Sequence, residues 1–264
     1  AAARAIVDVD PLAAGDAVLP ACTLLTPSGL AAAASVGYGE LAVRTRPRVA
    51  VVATGAELAE PGHALAEGQI PDSNSVMVAA LARAAGADVV AVRRSGDDPA
   101  ALAGLLADLP AVDVVFTTGG VSAGGYEPLR QLGAELEFCS VAMQPGKPQG
   151  CGLVGGVPLV AFPGNPVSSF VSFRMFGRPL LDALTGLRRP DRGRLAPASE
   201  GWCSPAGRRQ YVPVVIEAGG VRPSHARGSG SHLIASLHLA EALAVVAEDC
   251  TGVAAGDLVE VMEI

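Results

Sequence analysis

The sequence predicts an α/β protein, with a doubly wound, mostly parallel sheet followed by a small β-barrel-like domain. Three observations predict it. Between residues 47 and 187 short apolar runs alternate with helical segments, as in parallel strands joined by crossover helices. Four of those runs end in polar, glycine-rich loops, and ligands of doubly wound sheets bind at the carboxyl ends of strands. After about residue 188 the pattern changes to short β-like runs separated by glycine turns.

Taken in order, residues 1–46 hold Gly/Pro turns and an alanine-rich helix opened by Thr26-Pro27-Ser28, with proline suited to the first turn. A strand is expected at 40–43. In the central segment, strands are expected at 48–53, 88–92, 112–118, 135–141 and 158–162. Helices are expected at 74–85, capped by Asp72, Ser73 or Asn74, and after Asp97-Asp98-Pro99. A loop-helix is placed at 124–132, and a long helix at 166–187 bent at Pro179. Beyond a charged linker at 188–194, strands are expected at 210–217, 243–247 and 258–264, with a short helix at 233–240.

Composition narrows the function. Of 264 residues, 50% are hydrophobic and 17% charged, and mean hydropathy is +0.40, yet no apolar run reaches the ~18–20 residues of a membrane helix. The net charge of −7, one Trp and no basic stripe argue against nucleic acid. Five scattered Cys without a CxxC pair read as reduced thiols of a cytoplasmic protein. No basic, then apolar, leader opens the chain, and its first residues read as the middle of something longer. The four His lack ligand spacing.

The loops carry the chemistry. Gly119-Gly120-Val121-Ser122 lets backbone amides approach an anion; a tight strand-to-helix turn is the equal alternative. It is neither a Walker loop nor a GxGxxG fingerprint. Pro163-Gly164-Asn165-Pro166-Val167-Ser168 serves as a strand-to-helix turn or as a set of amide contacts to a ring or phosphate. Lys147, the one lysine in the chain, sits in a Pro145-Gly146-Lys147-Pro148 frame that suits an anion. Glu57, Asp72, Asp97, Asp98 and Glu127 stand in or beside the loops, where carboxylates suit Mg²⁺; Asp72 and Asp98 also suit helix caps.

The ordered set Thr54-Gly55-x-Glu57-Leu58, Asp72-Ser73-Asn74, Asp97-Asp98-Pro99, Gly119-Gly120-Val121-Ser122, Pro145-Gly146-Lys147-Pro148 and Pro163–Ser168 resembles the molybdopterin molybdenumtransferase (MoeA and gephyrin E-domain) family, from about Gly15 to the end of the chain. The resemblance implies an enzyme of molybdenum-cofactor synthesis that inserts molybdate into adenylylated molybdopterin, releases AMP and uses Mg²⁺. It further implies a homodimer, with the molybdopterin adenylyltransferase and molybdoenzymes as partners. It implies a remnant of the N-terminal domain at 1–46, a molybdopterin-binding domain at 47–187 and a β domain at 188–264. The family's N-terminal region, with much of the dimer contact, has no counterpart here.

Carried over by position, Glu57, Asp98 and Glu127 are the catalytic and metal-binding acids, and Lys147 neutralises anion charge. Thr54, Gly55, Asp72, Ser73, Asn74, Gly119, Gly120, Val121, Ser122, Pro145, Gly146, Pro163, Gly164, Asn165 and Ser168 line the substrate. The chain departs from the family at Ala56 and Glu127, where Asp is frequent, and at Gln144, where a second Lys is frequent. Two other readings remain. A molybdopterin adenylyltransferase would carry a Gly-Gly-Thr-Gly loop and lack the β domain. A non-catalytic molybdopterin-binding scaffold is favoured by Ala56 and Gln144.

Overall fold

The computed structural model describes residues 16–121, 127–132, 135–187, 193–225 and 234–264. Helix α1 (Pro27–Ser35) is capped by Thr26, whose hydroxyl accepts from Gly29 N–H. Only Ala33 of it is buried. The expected strand at 40–43 does not form. Both flanks of β1 (Arg48–Thr54), the next strand, are taken by other strands, so an extended segment before it has no ladder to join.

The chain then runs through the short strands β2 (Leu58–Ala59) and β3 (Ile70–Pro71), α2 (Ser73–Ala84), β4 (Asp88–Ser95), α3 (Pro99–Ala107) and β5 (Val114–Thr118). A 3₁₀ turn at Pro128–Gln131 replaces the expected helix at 124–132, part of which lies outside the described residues. After it come β6 (Glu135–Ser140), β7 (Met143–Gln144), β8 (Pro148–Val154) and β9 (Val157–Phe162), followed by α4 (Pro166–Ser172) and α5 (Arg178–Thr185). The interruption expected at Pro179 is a π-helical turn over Phe173–Gly177. Proline lacks an N–H and crowds the carbonyl four residues earlier, so the wider turn falls just before it.

The first sheet has the order β4-β1-β5-β9-β8-β6. β4, β1, β5 and β9 are parallel, and β8 runs against both β9 and β6. β8 is absent from the sequence reading. Its glycines weaken strand propensity, but β6 lies so close that a Cβ on Gly152 would stand 1.8 Å from the Glu135 carbonyl oxygen. Gly155 and Gly156, both at positive φ, close the β8–β9 hairpin as two-residue turns of this kind do.

Each face of this sheet has its own core. On one, Val49, Val51, Phe116 and Phe162 pack against α2, Phe173 and Leu181 of α5. On the other, Val52, Val115 and Leu159 pack against Leu102 and Leu106 of α3 and against Leu129. Burial on both faces explains the unbroken apolar run of β1.

The rest forms a second, antiparallel sheet. β10 (Arg194–Pro197) precedes the two-residue β11 (Trp202–Cys203) and the long β12 (Arg209–Glu217). β13 (Gly220–Pro223), α6 (Ile234–Leu237), β14 (Ala242–Val246), β15 (Gly252–Val253) and β16 (Leu258–Glu263) follow. The order is β10-β16-β14-β12-β13, and the outer strands meet through a bridge between Ala198 and Val221. That contact curls the sheet towards closure around Val212, Val214, Val221 and Val261. β7 pairs in parallel with β12, and Met143, Val167 and Phe170 share a core with Tyr211 and Leu243, so the second sheet packs directly on α4.

Among the described residues no helix is long and apolar enough to cross a membrane. Phe116, Phe162 and Phe173 meet at 5.5–6.2 Å between ring centroids, with Phe173 1% exposed. Phe173→Ala is expected to lower unfolding free energy by about 3–5 kcal/mol, measured by denaturant titration.

Candidate functional site

The parallel strands deliver their following loops to one end of the sheet, where they surround a cleft of about 630 Å³. Thr54, Gly55 and Glu57 enter after β1, Asp97 after β4, Gly119 to Val121 after β5, and Pro163 to Pro166 after β9. Asp72, Ser73 and Asn74 at the start of α2 form another wall, with Glu127 and Pro148 at the rim.

The floor is tightly packed. Gly119 and Gly120 have φ of 86° and 69°, a region open to glycine and strained for other residues. A Cβ on Gly119 would lie 2.5 Å from the Thr54 carbonyl oxygen, and one on Gly120 would lie 2.9 Å from Thr54 Oγ1. Thr54 Oγ1 donates to the Thr118 carbonyl at 3.3 Å. The Gly119 N–H donates to Phe162 O, so that amide is already engaged within the protein. Residues 122–126, which follow the loop, lie outside the described residues, and a 3₁₀ turn begins at Pro128.

Other polar groups are tied down. Asp72, 1% exposed, accepts from Ser75 N–H and Oγ and lies 4.0 Å from Arg94 Nη1. It is the cap of α2 as well as part of the lining. Asn74 Nδ2 donates to Gly164 O, and Ser169 Oγ donates to Pro163 O. Glu57 folds back over Gly55, its Oε2 2.6 Å from the point a Cβ there would occupy.

Several expected residues stand elsewhere. Asp98 caps α3, its carboxylate accepting from Ala100 N–H at 3.0 Å, and Asp97 is the acid that lines the cleft. The lining reaches Pro148 but does not include Pro145, Gly146 or Lys147. Lys147 is exposed. Its loop is anchored by Gln149 Nε2, which donates to Gly146 O at 2.7 Å and to Ser172 Oγ at 2.6 Å. Ser168 is buried within α4, and Ser122 lies outside the described residues. The lining also includes Ile70, Pro71, Thr118 and Pro128, which the sequence reading did not single out.

Among the described residues no three His, Cys, Asp or Glu side chains group closely enough to hold a metal ion. Glu57, Asp97 and Glu127, all in the lining, therefore do not make an all-protein metal cage. Outside the cleft, burial raises the Tyr211 phenol, and Glu248 is lowered by a backbone hydrogen bond and by Arg209. A second hollow, about 470 Å³, opens at the other end of the sheet beside Arg46, Arg48 and Arg83. Asp88 lines it and Asp113 accepts from Arg48 N–H, which offsets its positive charge.

A doubly wound domain whose loops gather over the strand ends, joined to a curled β sheet, matches two family models. Residues 50–183 match the "Probable molybdopterin binding domain", and residues 195–264 match the "MoeA C-terminal region (domain IV)". The chain belongs to the molybdopterin molybdenumtransferase (MoeA) family. It is 42% identical to molybdopterin molybdenumtransferase 2 of Mycobacterium tuberculosis over 97% of this chain and 66% of that protein. It is 34% identical to molybdopterin molybdenumtransferase 1 of the same organism, over 98% and 63%. The chain thus spans a little under two thirds of the length of these relatives. A crystal structure of the molybdopterin biosynthesis MoeA protein of Pyrococcus horikoshii superposes with a TM-score of 0.79 at 28% identity, covering 93% of this chain and 61% of that one.

Gly119→Ala is expected to weaken ligand binding by at least tenfold, because the loop must move off Thr54. Isothermal titration with molybdopterin, beside a melting curve, separates that loss from unfolding.

Proposed function

We propose that this chain takes part in molybdenum-cofactor synthesis as a transferase that inserts molybdate into adenylylated molybdopterin with release of AMP. The observation that carries the reading is the convergence of the loops after β1, β4, β5 and β9 on one cleft of about 630 Å³. On this reading residues 47–187 form the molybdopterin-binding domain, 188–264 the β domain and 1–46 part of a further one. The protein is cytoplasmic and works as a homodimer.

The roles follow from position. The amides beyond Gly119 and the polar ends of Asn74 and Asn165 orient the substrate. One or two of Glu57, Asp97 and Glu127, which do not group as three, would hold Mg²⁺ against the phosphates. The ion supplies charge neutralisation at the bridging and leaving oxygens. Asp97 replaces Asp98 in this role, since the Asp98 carboxylate is occupied by α3. Lys147, on its anchored loop outside the lining, offers its ammonium to oxyanions approaching the rim, molybdate included. A non-catalytic molybdopterin-binding module is the second reading. It is favoured by Ala56 and Gln144, where the family frequently carries Asp and Lys.

The deciding assay follows AMP release from adenylylated molybdopterin, with Mg²⁺ and molybdate each present and omitted. Release that needs both supports the transferase; tight binding without release supports the module. Asp97→Asn is expected to lower turnover at least tenfold and to raise the Mg²⁺ concentration for half-maximal rate. Asp98→Asn keeps a capping side chain and is expected to leave that concentration unchanged. The opposite pattern would return the metal role to Asp98.

A further inference from the structure

We propose that the hollow at the amino-terminal end of the parallel strands is a second ligand site, which takes the phosphate group of a small phosphate ester. The inference goes beyond the proposed function, which concerns the cleft at the opposite end of the sheet. The hollow encloses about 470 Å³ and is lined by Arg46, Arg48, Arg83, Ala87, Asp88 and Val89. Arg48 opens β1, with Arg46 two residues before it. Arg83 stands in the last turn of α2, and Asp88 opens β4.

Carboxylates outnumber basic side chains in this chain, 26 to 19, and other arginines find them. Arg94 pairs with Glu60, Arg209 with Glu248 and Arg222 with Glu217. Among the described residues, no hydrogen bond or ion pair engages the guanidinium of Arg46, Arg48 or Arg83. Asp88 in the lining and Asp113 beside it offset part of the charge, yet the guanidiniums remain three to two. A place in the last turn of a helix accounts for Arg83, since cations suit that end. It does not account for Arg46 and Arg48 at the entry to a strand. The backbone beneath these two is fixed. Pro47 O accepts from Asp88 N–H at 2.8 Å, Arg48 N–H donates to Asp113 Oδ2 at 2.7 Å, and Arg48 O accepts from Asp113 N–H at 2.8 Å. Like charges are thus gathered on a rigid base, and a bound anion relieves their repulsion.

The chemistry of the lining selects the ligand. Each guanidinium presents a planar fork of N–H donors that grips two oxygens of a phosphate or carboxylate at once. Three forks offer more donors than one carboxylate accepts, and the three terminal oxygens of a phosphate ester match them. The volume falls within the ~300–1,000 Å³ of small-molecule sites, more than a bare phosphate ion fills. Ala87 and Val89 give the organic part of an ester apolar surface to cover. All three arginines are exposed, so a ligand reaches them from solvent without rearrangement of the fold.

The test titrates phenyl phosphate, inorganic phosphate and hexaglutamate into the protein at low salt. Divalent cations are removed, so that the acidic strand-end cleft has none with which to recruit a phosphate. Wild type is compared with Arg48→Gln, with Arg83→Gln and with the control Arg93→Gln, an exposed position of β4 outside the lining. The expected result is saturable binding of phenyl phosphate, tighter than that of inorganic phosphate. Arg48→Gln or Arg83→Gln weakens it about tenfold, and the control leaves it unchanged. Arg83→Lys keeps the charge and loses the fork, and is expected to recover part of the affinity. The substituted guanidiniums bond to no described protein group, so melting temperatures should hold; if either glutamine variant fails to fold, Arg46→Gln makes the same comparison. No saturable binding of phenyl phosphate by the wild type, an equal loss in Arg93→Gln, or binding of hexaglutamate alone overturns the proposal. Each of these outcomes leaves the proposed function standing, and a failure of AMP release leaves this site standing.

Discussion

The site depends on one close approach, that of the Gly119-Gly120 turn to Thr54. β1 and β5 are neighbours in the parallel sheet, so the turns leaving their carboxyl ends compete for the same space. With a Cβ of Gly119 only 2.5 Å from the Thr54 carbonyl, any side chain there pushes the two loops apart. Glycine removes the conflict. The Thr54 hydroxyl then bonds back to Thr118 O, and the Gly119 N–H locks onto Phe162 O. Three strand ends are thereby tied into one floor, on which the walls from α2 and the Pro163–Pro166 loop stand.

The second sheet reaches the same region by another route. β7 pairs with β12, and Arg208 Nη1 donates to Gln144 Oε1 at 3.1 Å. The loop that carries Lys147 is consequently held from both sides, by Gln149 of the first sheet and by Arg208 from the second. Packing of Val167 and Phe170 against Tyr211 and Leu243 gives that arrangement its rigid backing. The β sheet is thus part of the scaffold that holds this loop.

Much of this was legible in the sequence, for reasons that can be named. The apolar runs of β1, β5 and β9 are buried on both faces, so hydrophobicity alone revealed them. The loops after them announced themselves by glycine, proline and asparagine. β8 was hidden because Gly150 and Gly152 dilute its strand character; those glycines answer to the closeness of Phe138 and Glu135 on β6, a tertiary fact. Adjacent acids were harder still. Asp97 and Asp98 are equal as letters, and only the start of α3 decides which one turns inwards to the helix and which lines the cleft. Thr118 was passed over because its neighbour Gly119 carried the motif.

Charge gives the last constraint. Among the described residues, the acidic and basic side chains lining the cleft are Glu57, Asp72, Asp97 and Glu127, with no Arg, Lys or His. Asp72 is balanced by Arg94 nearby; the other three are not balanced within the lining. A phosphate-bearing substrate entering alone would meet like charge at short range, and the repulsion strengthens as water leaves. A cleft of this sign binds a polyanion only together with compensating charge. A divalent cation entering with the phosphates is one source of such charge. The acidic lining is therefore no argument against an anionic substrate. It makes binding of that substrate conditional on positive charge, which ties recognition to the carboxylates that would hold the ion.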